Sequence, residues 1–113
     1  MNINEEQLNG GVVKINLSGR MDIEGVGLID TKFADMTAEP RMSIIVDMSG
    51  VPYMSSIGIR ALLMNAKPVS RRGGKFVLLS PQPDVKMVLE MSGISQLISI
   101  CSNLDEALAK VTP

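Results

Sequence analysis

Apolar residues recur along this chain in two rhythms, every second position and every third or fourth, and the two alternate. From Gly11 to Ser18 the apolar Val13, Ile15 and Leu17 alternate with Val12, Lys14 and Asn16, the pattern of a strand covered on one face. Asn2–Gln7 is predicted to pair with it as a hairpin, with Asn9-Gly10-Gly11 as the turn. Val26, Ile29, Phe33 and Met36 then step by three and four, which predicts an amphipathic helix ending near Glu39-Pro40. Met42–Met48, carrying Ile44, Ile45 and Val46, reads as a fully buried strand. Asp47, Ser49, Gly50 and Pro52 are turn formers, and a second helix is predicted from Ser56 to about Val69, with Pro68 ending or kinking it. After a turn at Gly73-Gly74 comes the strand Lys75–Ser80. Ser80-Pro81-Gln82-Pro83 opens a third helix over Val85, Val88, Leu89 and Met91, closed by Gly93. A short strand over Leu97–Cys101 leads to a capping pair, Ser102 with Asp105, and a last helix through Leu104, Ala107, Leu108 and Val111.

Strands separated by helices of this length imply parallel crossovers, and the opening hairpin makes the sheet mixed. The expected fold is a small α/β sandwich, a single domain over residues 1–113, with a mixed sheet of four to five strands and about four helices.

Composition narrows what such a domain can do. In 113 residues, 45% hydrophobic and 20% charged, there is material for one core. The net charge of −1 gives no bulk attraction to nucleic acid or to an anionic membrane. No apolar run approaches the roughly 18 residues of a membrane span, and the polar, acidic start, MNINEEQLNG, is unlike a signal segment. A single cysteine, Cys101, fits a reducing compartment, so a cytoplasmic location is expected. The chain has no histidine, which removes Ser-His-Asp and Cys-His nucleophiles and histidine metal sites. Neither glycine pair has the spacing of a phosphate-cradling loop, and aromatics at 3% leave little for stacking bases. Neither an enzyme nor a cofactor is expected.

One junction still offers chemistry. Ser55 and Ser56 stand where the buried strand gives way to the second helix, beside unpaired amides and the positive end of the helix dipole. A hydroxyl there can cap the helix or carry a phosphate; the missing histidine removes its use as a nucleophile. At about 100° per residue, Ile59, Leu62 and Ala66 share one side of this helix, while Ser56, Arg60, Met64 and Lys67 share the other. Ile57 and Ala61 lie beside the second group. A face mixing cations with apolar side chains suits a protein partner better than plain solvent.

The stretch VDMSGVPYMSSIGIRALL resembles the signature of the STAS family, the domain of bacterial anti-sigma factor antagonists and of sulphate-transporter tails. Gly19-Arg20-Met21-Asp22, Arg71-Arg72-Gly73-Gly74-Lys75, Ser80-Pro81 and Met91-Ser92-Gly93 resemble further family segments, so the likeness covers nearly the whole chain. It departs from the family at Ser55, where an aspartate is usual, and at Ile57, where serine or threonine is frequent. The resemblance implies an anti-sigma factor antagonist. Ser56 falls on the family's phosphorylated serine, with Ser55 as second choice, and Asp22, Ser55, Ile57, Gly58, Arg60, Ala61 and Met64 would meet the partner. Its implied partners are an anti-sigma factor with serine kinase activity and a serine phosphatase. Other partner-switching outputs, or a buttressing role in a lipid-transport complex, are the alternatives.

Overall fold

A computed structural model describes residues 1–38 and 43–112. The elements run β1 (Asn2–Gln7), β2 (Val12–Ser18), α1 (Ile23–Thr37), β3 (Ser43–Gly50), α2 (Ser56–Arg71), β4 (Phe76–Leu79), α3 (Pro83–Met91), β5 (Ser99–Cys101) and α4 (Leu104–Val111), with single 3-10 turns at Asn9–Gly11 and Ile94–Gln96. The five strands lie in sequence order; β1 pairs antiparallel with β2 and every later pair is parallel. This is the mixed α/β sandwich expected. The expected helix end at Glu39-Pro40 and strand start at Met42 lie outside the described residues.

Sequential parallel strands joined by crossovers of one hand put their connecting helices on the same face. Accordingly Val26, Ile29 and Phe33 of α1, Leu62 and Val69 of α2, and Val85 and Leu89 of α3 form one core with Val13, Ile15, Leu17, Ile44, Val46, Met48, Phe76 and Leu78. On the other face α4 covers a smaller cluster, with Ala107 and Val111 over Val12, Ile45, Val77, Leu79 and Cys101. The run Ile44-Ile45-Val46 in β3 is continuously apolar because its successive side chains fill different clusters, Ile44 and Val46 on one side and Ile45 on the other. Fully burying a side chain such as Leu62 or Phe33 contributes roughly 1.5–3 kcal/mol.

Three local expectations need correction. Pro68 lies in the last turn of α2, as expected, but the helix runs past the end expected near Val69 and stops at Arg71. Pro68 and Met64, whose carbonyl the proline leaves without its usual helical partner, both lie on the exposed side of α2. The cap of α4 is Asn103 rather than Ser102: its side chain accepts from the Glu106 amide at 2.9 Å, and the Glu106 carboxylate accepts from the Ser102 amide at 3.4 Å. Met91, counted with the inner face of α3, is 82% exposed; the helix ends there and Gly93, at φ +83°, turns the chain away.

Candidate functional site

The connections that follow β2 and β3 run side by side and are laced together. The Gly19 amide donates to the Gly50 carbonyl (2.9 Å), the Met21 amide to the Tyr53 carbonyl (2.9 Å), and the Ser55 amide to the Met21 carbonyl (3.1 Å). Met21 and Met54 also form a short parallel bridge, and both side chains are buried. The ladder sets the N-termini of α1 and α2 next to each other.

Each N-terminus begins differently. Asp22 caps α1, its carboxylate accepting from the Gly25 amide at 2.8 Å. That amide, with help from Arg20 and against a smaller desolvation effect, holds the Asp22 carboxyl below the ordinary aspartate range. The Arg20 guanidinium sits 3.4 Å from the Asp22 carboxylate and 4.1 Å from the centre of the Tyr53 ring. Ser55 occupies the capping position of α2, yet its hydroxyl donates to the Met21 carbonyl at 3.0 Å, and no side chain caps this helix. Ser56, the first residue of α2, is exposed.

Asp22, Tyr53, Ser55, Ser56, Ile57 and Arg60 line one open concavity of about 740 Å³, together with Ile23 and Glu24. Met64 is 60% exposed two turns beyond Ser56, and Arg60 and Lys67 lie on the same open face. The wheel placement of these four residues thus matches the structure. Gly58 and Ala61, expected on the partner-facing surface, are buried instead. A Cβ on Gly58 would lie 2.8 Å from the Met54 side chain and 3.0 Å from that of Met21, and Ala61 packs toward α1 in the core. Gly58 therefore acts by letting α2 approach the ladder.

Arg20 and Tyr53 were not singled out from the sequence as site residues. Their signals were weak but present: an arginine two positions before the capping aspartate, and the chain's one tyrosine beside the serine pair. Among the described residues no group of histidine, cysteine and carboxylate side chains could hold a metal ion, and no helix is long and apolar enough to cross a membrane.

A five-stranded α/β domain with a serine at an uncapped helix N-terminus beside an acidic cap defines a narrow class of protein. The chain belongs to the STAS domain family, whose profile matches residues 5–107. It is similar to the anti-sigma F factor antagonist of Paenibacillus polymyxa, 24% identical over 108 residues, covering 95% of this chain and 92% of that protein. In structure it resembles an anti-sigma factor antagonist from Mycobacterium paratuberculosis, with a TM-score of 0.87 at 20% identity over 97% of this chain and 92% of the other. It also resembles the phosphorylated form of the Bacillus cell fate determinant SpoIIAA, with a TM-score of 0.71 at 23% identity over 96% of this chain and 98% of that one.

Proposed function

We propose that this chain is an anti-sigma factor antagonist that works by switching partners. Unmodified, it binds an anti-sigma factor that is also a serine kinase, through the face carrying Asp22, Ile57, Arg60 and Met64. The kinase phosphorylates Ser56, the complex separates, and a serine phosphatase restores the binding form. The observation that carries this reading is Ser56 itself: an exposed hydroxyl on the first residue of a helix whose N-terminus no side chain caps. The relatives named as antagonists, and a structural neighbour described in a phosphorylated form, support it.

The physics favours release without refolding. A phosphate adds about −1.5 to −2 charge and three acceptor oxygens. The free amides and dipole of α2 stabilise that charge, and Arg60, one turn on, is within the same concavity to do so. The partner then meets bulk and negative charge where it had fitted a hydroxyl.

Incubation with the kinase and ATP should give a phosphate-dependent mobility shift in the wild type and in Ser55→Ala, and none in Ser56→Ala. Binding by Ser56→Asp should fall about a hundredfold, equivalent to about 2.7 kcal/mol. Stoichiometric phosphorylation of Ser56→Ala would sink the site assignment.

A further inference from the structure

The exposed face of α2 carries charge of one sign only. Its 16 residues hold three cations, Arg60, Lys67 and Arg71, and no acid, in a chain whose net charge is −1. At about 100° per residue the three fall within about 40° of one another, a straight stripe about 16 Å long. All three are exposed, and none makes an ion pair among the described residues. Ser56 stands at the head of the stripe, and Met64, 60% exposed, lies in its middle.

The helix itself does not call for this arrangement. Arg71, in the last turn, suits the negative end of the helix dipole. Arg60 lies toward the opposite, positive end, and Lys67 stands four residues before Arg71, a spacing at which like charges repel. A helix face that only has to meet water is commonly laced with both signs. The opposite sign is found next door: Asp30 and Asp35 of α1 share a concavity of about 420 Å³ with Met64.

We infer that the α2 stripe receives an acidic amphipathic helix of a protein partner, laid along α2 with its carboxylates over Arg60, Lys67 and Arg71 and an apolar side chain over Met64. Charge complementarity sets the sign of the occupant. Width sets its kind. The stripe is one helix wide, and Asp30 and Asp35 border it on the α1 side, so a broad anionic surface such as a membrane or a nucleic-acid duplex would meet repulsion that a single helix avoids. The same two carboxylates call for a basic edge on the incoming helix, which fixes how it is rotated about its axis. The inference rests on the partner-binding reading above only in assigning this helix to the switching partner.

Two synthetic helical peptides of equal composition, offered to the whole protein, test this. One carries glutamates at i, i+4, i+7 and i+11, leucines beside them and lysines along one edge; the other has the glutamates and lysines exchanged. By fluorescence anisotropy at about 50 mM salt, where charges are weakly screened, wild type should bind the first roughly tenfold more tightly than the second, and the preference should shrink at about 0.5 M. Arg60→Glu combined with Lys67→Glu should reverse the preference, a gain that a misfolded variant could not show. Lys110→Glu, on α4 across the sheet, should leave it unchanged. Equal affinity for the two peptides, binding of neither, or a preference that the double variant does not move overturns the inference. So does a DNA duplex or a phosphatidylglycerol vesicle that binds as tightly as the first peptide, since the stripe would then serve a broad anionic surface. No kinase enters this experiment, so its failure leaves the switching reading standing. Failure of the Ser56 phosphorylation test, in turn, would remove only the assignment to a switching partner.

Discussion

The carboxylate of Asp22 accepts the Gly25 amide and faces the serine-bearing concavity, and the first of these contacts governs its protonation. Because its native affinity for protons lies below the unfolded value, the stabilisation it lends is complete above about pH 4 and is lost as pH falls through the native value. Urea midpoints compared between about pH 5 and pH 3 should therefore decline more steeply for wild type than for Asp22→Asn. Asp47 has the same sign. Burial opposes its ionisation, but the Ser49 amide and hydroxyl and the Lys14 ammonium outweigh burial. Being common to both proteins, its contribution cancels in the comparison. An equal slope in the two would show that the Gly25 contact is not what lowers Asp22. Ser55 repays attention at the same scale. Its place before the helix was legible in the sequence, but its bond to the Met21 carbonyl was not, since Met21 lies 34 residues away.

At the scale of elements, close approach decides where glycine is required. Gly25→Ala should destabilise the domain by about 1–3 kcal/mol or more, the usual cost of overpacking, because the atom in its way is backbone and cannot swing aside. Gly58→Ala presses mainly on methionine side chains and should cost less. Chemical denaturation of the two variants checks the order; equal losses would mean that the Arg20 carbonyl yields as readily as a methionine. Removing the cap of the last helix, Asn103→Ala, should cost about 0.5–2 kcal/mol, while Ser102→Ala should cost little. Most element types were legible because the apolar period is strong in them; β1, whose one apolar residue is Ile3, was read from the turn that follows it. Ends were less so: the hydroxyl of Ser102 and the amide of Asn103 are both good caps, and only the backbone path chooses between them. Ala61 was misplaced for a related reason. It borders the open face on the wheel, and only the position of α1 shows that this border is covered.

Over the whole molecule, the sheet separates a large core from the small cluster under α4. Cys101 belongs to the latter, is 1% exposed, and has its thiol pushed up by burial. It should resist thiol reagents in native buffer and react when α4 lifts. A reaction rate in low urea faster than global unfolding would show α4 opening on its own; a rate equal to global unfolding would make the domain one cooperative unit. The mixed sheet and the serine junction were readable in advance, since hairpin signals and crossovers leave few topologies. The burial of Val12 under α4 was not, because nothing within Gly11–Ser18 announces a helix that arrives only at the end of the chain. The ladder through Gly19, Met21, Tyr53 and Ser55 has a consequence at this scale. Both loops hang on shared backbone bonds, so neither helix N-terminus can shift without the other. On the proposed switch, a phosphate at Ser56 would arrive beside two loops tied together by backbone bonds, and the message would be the bound or unbound state, carried by diffusion.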